Sequence, residues 1–167
     1  MRGLPRPRVI IMTISDSASR GDREDLSGPA AGKILEQLGC DVLQIAILPD
    51  EMRTIQESLL GYCQVGVADL VVTTGGTGLG PRDVTPEATA AVIQKEVPGV
   101  AELMRQQGIK KTTRAALSRA KVGVRNRTLI INLPGSVKGV KESLASITDI
   151  LPHALEIISG NSVRCGG

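Results

Sequence analysis

Residues Val9-Ile10-Ile11-Met12-Thr13-Ile14 form a near-continuous apolar run rich in β-branched side chains, with no polar alternation. Such a run suits a strand covered on both faces, as in the middle of a parallel sheet. Parallel strands need crossover connections, and the sequence supplies helical stretches between its strand candidates. Asp41 to Leu48 reads as a second strand, ended by Pro49-Asp50-Glu51, and Asp69 to Thr74 as a third. Val122 to Arg125 and Thr128 to Leu133 flank Asn126-Arg127 and read as a hairpin, or at least as two strands close in sequence. The expected fold class is therefore α/β, with helices on both faces of a mostly parallel sheet.

Helix signals fall between these runs. Ser27-Gly28-Pro29 opens one helix with Ser27 as N-cap, and Gly39 closes it. Asp50 is a candidate cap for a helix over 51–65. Thr85-Pro86-Glu87 has Thr at the N-cap and Pro at the first helical position. A break at Pro98-Gly99 precedes a helix ending near Gly108. Val140, Leu144, Ile147, Leu151, Leu155 and Ile158 keep helical spacing, with Pro152 a kink or a new start. With 167 residues and no repeat, low-complexity stretch or linker, one domain over 1–167 is expected.

Composition narrows the function classes. Hydrophobic residues make up 41%, yet there is one Tyr and no Phe or Trp, so the core must be aliphatic. That shortage argues against nucleic acid as a partner, since single-strand binders stack bases on aromatic rings. The net charge is +3. Much of the excess lies in Arg105, Lys110, Lys111, Arg114, Arg119, Lys121, Arg125 and Arg127, readable as a solvated face or as a surface attracting an anionic small molecule. Cys40, Cys63 and Cys165 are odd in number and contain no C-x-x-C pair, which fits reduced thiols and a cytoplasmic protein. With His153 the only histidine, a His/Cys zinc site lacks ligands, and a Ser-His-Asp triad would rest on that one residue. Arg2, Arg6 and Arg8 precede the first apolar run, which Ser15-Asp16 ends too early for a signal peptide or a membrane span.

Open parallel sheets bind ligands beyond the carboxyl ends of their strands. Ser15-Asp16-Ser17, Pro49-Asp50-Glu51, Gly75 to Asp83 and Pro134-Gly135-Ser136 are all expected there. In Thr73-Thr74-Gly75-Gly76-Thr77-Gly78 the glycines let backbone N–H groups approach an anion, and Thr73, Thr74 and Thr77 add hydroxyls, a cradle for phosphate. The segment is neither a P-loop, lacking its Lys, nor a Rossmann loop, since Pro81 interrupts it. Carboxylates repel phosphate, so Asp16, Asp50 and Asp83 suit either Mg²⁺ or the N–H edge of an amino-heterocycle such as a pterin. Each also has a structural alternative: Asp50 as a helix cap, Asp16 as an acceptor for loop amides, and Asp83, next to Arg82 and just after the glycines, in an unspecified structural role.

The glycine block, together with Pro81-Arg82-Asp83-Val84-Thr85-Pro86-Glu87-Ala88-Thr89, resembles the signature of molybdenum-cofactor biosynthesis proteins of the MogA/MoaB type, which include the G domain of gephyrin. Ile14-Ser15-Asp16, Asp25-Leu26-Ser27-Gly28-Pro29, Leu48-Pro49-Asp50-Glu51, Leu117-Ser118-Arg119 and Ile131-Asn132-Leu133-Pro134-Gly135-Ser136 resemble further family blocks in family order. The resemblance implies a three-layer α/β/α sandwich assembled as a homotrimer. It implies molybdopterin adenylyltransferase activity, in which AMP moves from ATP to the terminal phosphate of molybdopterin, with Mg²⁺ required and pyrophosphate released. The product would pass to a partner protein that inserts molybdate. Two alternatives carry the same resemblance: a MoaB-type binder without adenylylation, and an oligomeric scaffold. By position, Asp50 and Asp83 match the family's two functional aspartates, which would serve catalysis and hold Mg²⁺. Thr74, Gly75, Gly76, Thr77 and Gly78 match its substrate loop, and Ser15, Asp16, Ser118, Pro134, Gly135 and Ser136 its remaining rim. One position departs: Val137 stands where the family block commonly has a second proline.

Overall fold

The computed structural model describes residues 6–160. Arg2 and Cys165 lie outside that range. The elements run β1 (Arg8–Ile14), α1 (Asp16–Ser19), α2 (Ser27–Gln37), β2 (Asp41–Leu48), α3 (Met52–Tyr62), β3 (Leu70–Thr74), α4 (Thr85–Val92), β4 (Lys95–Glu96) and α5 (Pro98–Ile109). A 3-10 turn (Thr113–Leu117), β5 (Val122–Arg125), β6 (Thr128–Leu133), α6 (Val137–Ile147) and α7 (Leu151–Ser159) follow.

The strands form one six-stranded sheet in the order β2-β1-β3-β6-β5-β4. Pairs β1–β2, β1–β3 and β3–β6 are parallel, whereas β5 runs antiparallel to both β6 and β4. The run that opened the sequence is thus a central strand, and its side chains alternate between two cores. Val9 and Ile11 pack with residues of α2, α5, α6 and α7 on one face. Ile10, Met12 and Ile14 pack with α3 and α4 on the other. Both faces being covered, the three-layer α/β/α architecture is as expected. Every large fully buried side chain is Ile, Leu or Met, and Tyr62 sits partly buried at the edge of the second core.

Several local expectations change. Ser27 lies inside α2, whose first turn is held instead by Asp25 Oδ1, which accepts from Gly28 N at 3.0 Å. Asp50 does not cap α3, which starts at Met52 and ends at Tyr62. Thr85 is the first residue of α4, and its Oγ1 donates to Gly75 O at 3.0 Å rather than capping. Pro152 marks a new start, separating α6 from α7. The two-residue β4 and the 3-10 turn carried no readable pattern. Several bases in the cationic stretch are structural: Arg105 donates to Ser118 O and Ala120 O, Arg125 donates to Val92 O, and Lys121 pairs with Glu96 at 2.6 Å.

Cys40 and Cys63 are buried free thiols, and burial pushes the Cys63 thiol up to about 11. Both are therefore poor nucleophiles. Among the described residues no helix is long and apolar enough to cross a membrane.

Candidate functional site

Four parallel strands end on the same side of the sheet, and the turns after them meet. After β1, Ser15 N donates to Leu48 O at 2.8 Å, and Ser15 Oγ accepts from Ala18 N to cap α1. After β2 comes Asp50. After β3, Gly75 N donates to Leu133 O at 3.1 Å, which joins the glycine turn to the end of β6. After β6, Ser136 Oγ accepts from Gly139 N at 3.0 Å and caps α6.

The glycine turn needs its glycines. Gly75 has φ +90° and Gly76 φ +65°, both in the left-handed region. A Cβ on Gly75 would collide with the Ile14 carbonyl, and one on Gly76 with Thr85 Oγ1. The phosphate-cradle expectation is refined here. Gly75 and Gly80 spend their N–H groups on Leu133 O and Asp83 Oδ2. The amides of Gly76, Thr77 and Gly78 donate to no protein acceptor among the described residues.

A cleft of about 500 Å³ opens above the turn. Ser15, Asp50, Thr74, Gly75, Gly76, Asp83, Gly135 and Ser136 all line it. Asp16, Thr77, Gly78 and Pro134 stand beside it without lining it. Ser118 is elsewhere, in a second cleft of about 410 Å³ that also contains Glu87, Arg105 and Arg119. His153 sits exposed on α7, lines neither cleft and faces Glu156 at 4.0 Å.

The floor contains residues that sequence reasoning missed. Thr13 Oγ1 donates to Asp25 Oδ2 at 2.7 Å, and Ser27 Oγ lies 2.8 Å from Thr74 Oγ1. The motif around Asp25 and Ser27 was visible in the sequence as a block, but nothing local showed that it folds under the glycine turn. Beneath, fully buried Asn132 donates from Nδ2 to Thr73 Oγ1 at 3.0 Å and Thr89 Oγ1 at 2.9 Å. Its Oδ1 accepts from Lys121 N at 3.1 Å.

The three aspartates have different electrostatic settings. Asp16 and Asp50 bond reciprocally: Asp16 N donates to Asp50 Oδ2 at 2.9 Å, and Asp50 N to Asp16 Oδ1 at 3.0 Å. Asp16 also accepts both arms of Arg82, each at 3.0 Å. That guanidinium holds the Asp16 carboxyl below its ordinary range, with the Asp50 amide adding to the effect. Asp16 is therefore committed to its neighbours, in line with the loop-acceptor alternative. For Asp50 the sign reverses. Burial raises it first, and the nearby charges of Asp16 and Asp83 raise it further, against the Asp16 amide bond. Asp83 Oδ2 accepts from Gly80 N at 2.8 Å. Both carboxylates flank the turn, since a Cβ on Gly76 would lie 3.1 Å from Asp50 Oδ1 and one on Gly78 2.9 Å from Asp83 Oδ2.

No group of three or more His, Cys, Asp or Glu residues is arranged to hold a metal among the described residues. Two carboxylates beside an anion cradle suit Mg²⁺, which keeps waters and takes its other ligands from phosphate oxygens.

Comparison with known proteins places this geometry. Residues 10–153 match the family described as a probable molybdopterin binding domain. A molybdopterin adenylyltransferase of Helicobacter pylori is 44% identical over 156 residues, covering 92% of this chain and 89% of that protein. The crystal structure of the molybdopterin biosynthesis enzyme MoaB from Thermus thermophilus superposes with a TM-score of 0.88 at 47% identity, covering 95% of this chain and 99% of the other. A molybdenum cofactor biosynthesis bifunctional protein of Chlorobaculum tepidum is 35% identical over 155 residues, covering 93% of this chain but 49% of that protein.

Proposed function

The chain belongs to the molybdopterin-binding family of molybdenum-cofactor biosynthesis, and on that footing we propose that it is a molybdopterin adenylyltransferase. In the reaction, an oxygen of the terminal phosphate of molybdopterin attacks the α-phosphorus of ATP. The bond to the bridging oxygen breaks, and pyrophosphate leaves. The observation that carries this reading is the cleft at four strand ends, lined by Gly76, Asp50 and Asp83, with the unengaged amides of Thr77 and Gly78 continuing from Gly76 at its margin.

Transfer of this kind depends on positioning and on neutralising charge. The amides of Gly76, Thr77 and Gly78 receive phosphate oxygens, and the capped N-terminus of α6 beside Ser136 adds a favourable dipole. Ser15, Thr74, Gly75 and Gly135 line the binding surface. Asp50 and Asp83 would hold Mg²⁺, which supplies neutralisation of the charge gathered between the two phosphate groups. Asp16 acts by fixing Asp50, and Pro134 by shaping the last turn. Ser118, in the neighbouring cleft, reaches substrate only where it extends past the glycine loop.

The same reading places the protein in the cytoplasm as a homotrimer that hands its product to a molybdate-inserting partner. The bifunctional relative, about twice the length of the matching region, supports such a hand-over. Exposed Leu43, Ile45 and Ile47 on β2, at the edge of the sheet, supply apolar surface that association would cover.

The test is incubation with molybdopterin, ATP and Mg²⁺ while following pyrophosphate and adenylylated product. Wild type should turn over, and Asp83→Asn, keeping shape without charge, should lose on the order of 100-fold in kcat. No product from wild type would instead favour the non-catalytic binder.

A further inference from the structure

A residue bonded to the Asp83 loop lies outside the cleft. Asp83 sits on a loop, 77–84, that carries no regular structure and is exposed at Leu79, Gly80, Pro81 and Arg82. Within the loop, its carboxylate is tied only by Gly80 N at 2.8 Å, and its own N–H donates to Gly80 O at 3.0 Å. Arg82, next to Asp83, is held by Asp16, but nothing within the loop holds the Thr77, Gly78 and Asp83 carbonyls. One residue from a distant segment reaches the loop at three points and the helix that follows it at a fourth. Arg119 donates its backbone N–H to Thr77 O at 3.0 Å, Nε to Gly78 O at 2.8 Å and Nη2 to Asp83 O at 2.8 Å. Its Nη1 pairs with Glu87 in the first turn of α4.

We propose that Arg119 is the positioning residue for Asp83: by spanning Thr77, Gly78, Asp83 and Glu87 it sets the carboxylate against the glycine turn. The inference rests on the adenylyltransferase reading for its kinetic consequence, but the geometry it describes does not depend on it. The planar guanidinium offers several donors in a fixed fork, so it can hold two carbonyls and a carboxylate at once. An ammonium is a compact point charge and matches only part of that set. Arg119 has no lining position in the cleft with Asp83, so its effect on chemistry runs through the loop.

The test uses the full chain as Arg119→Lys and Arg119→Gln, each checked for native far-UV circular dichroism and melting. Two readouts are taken. The first is steady-state transfer as a function of Mg²⁺. In Arg119→Gln, kcat should fall about 100-fold, as for a misplaced reacting group, while KM for molybdopterin changes little. The Mg²⁺ concentration for half-maximal rate should rise, with Arg119→Lys intermediate. The second is hydrogen–deuterium exchange over 76–84 without ligands, where the Gly80 and Asp83 amides should exchange faster in both variants. A folded Arg119→Gln with wild-type kcat and Mg²⁺ dependence overturns the proposal, as does unchanged exchange across the loop. If wild type itself makes no adenylylated product, the functional reading fails, and the exchange readout alone still decides the positioning role.

Discussion

At the scale of single residues, Asp16 and Asp50 show how two like side chains at one strand edge acquire opposite characters. Arg82 neutralises the first, and burial with two acidic neighbours penalises the second. Because the folded state raises the Asp50 pKa, the folded protein holds that proton more tightly than the unfolded chain does. Stability is therefore lost as pH rises above the ordinary carboxylate value of about 3.9. Asp50→Asn retains an oxygen for the Asp16 amide but removes the charge. It should melt higher than wild type at pH 7–8, a difference that shrinks as both are taken down to and below the ordinary carboxylate value of about 3.9, where the carboxyl takes up its proton. Transfer activity should meanwhile fall on the order of 100-fold. An Asp50→Asn protein that melts lower than wild type at pH 7 would contradict this account of the site. The sequence made both aspartates visible as strand-end carboxylates. It could not rank them, since the ranking comes from Arg82 turning away from adjacent Asp83 to reach Asp16, 66 residues back.

At the scale of elements, the positions of helices were readable and their bonds were not. Ser27 and Thr85, each one or two residues before a proline, located the starts of α2 and α4 within a residue. Their hydroxyls, however, serve distant partners: Ser27 meets Thr74, and Thr85 holds Gly75 O. A capping pattern is local, and tertiary bonding overrode it. The hidden connection of most consequence is Asn132, which joins β6 to β3 and α4 in a space without water access. Asn132→Ala strands Thr73 Oγ1, Thr89 Oγ1 and Lys121 N–H, at about 1–3 kcal/mol per buried unsatisfied group. We expect a loss of about 3 kcal/mol in urea unfolding, seen as a lower midpoint with an unchanged slope. A loss under about 1 kcal/mol would mean that water or side-chain movement satisfies these groups. The strand pattern itself was legible because β1, β3 and β6 are buried on both faces. Two-residue β4 was not, having too few positions for any periodicity.

At the scale of the whole molecule, the sheet is unequal from edge to edge. The β5–β4 side is held by backbone pairing and by Arg125 and Asn126 side-chain bonds. The β2 side exposes Leu43, Ile45 and Ile47 without a Lys or Pro to blunt it, unlike many free edges. Multi-angle light scattering of the purified protein should give three times the 17.5 kDa chain mass, and Ile45→Lys should shift it toward one. A 17.5 kDa mass for wild type at micromolar concentration would remove the trimer from the reading.

The aliphatic core has an optical consequence. With Tyr62 the only aromatic side chain and no tryptophan anywhere, the protein is dark when excited above the tyrosine band. Emission excited above the tyrosine band would then come from a bound conjugated pterin and not from the host, so binding in the cleft can be followed with no label and no background from the protein.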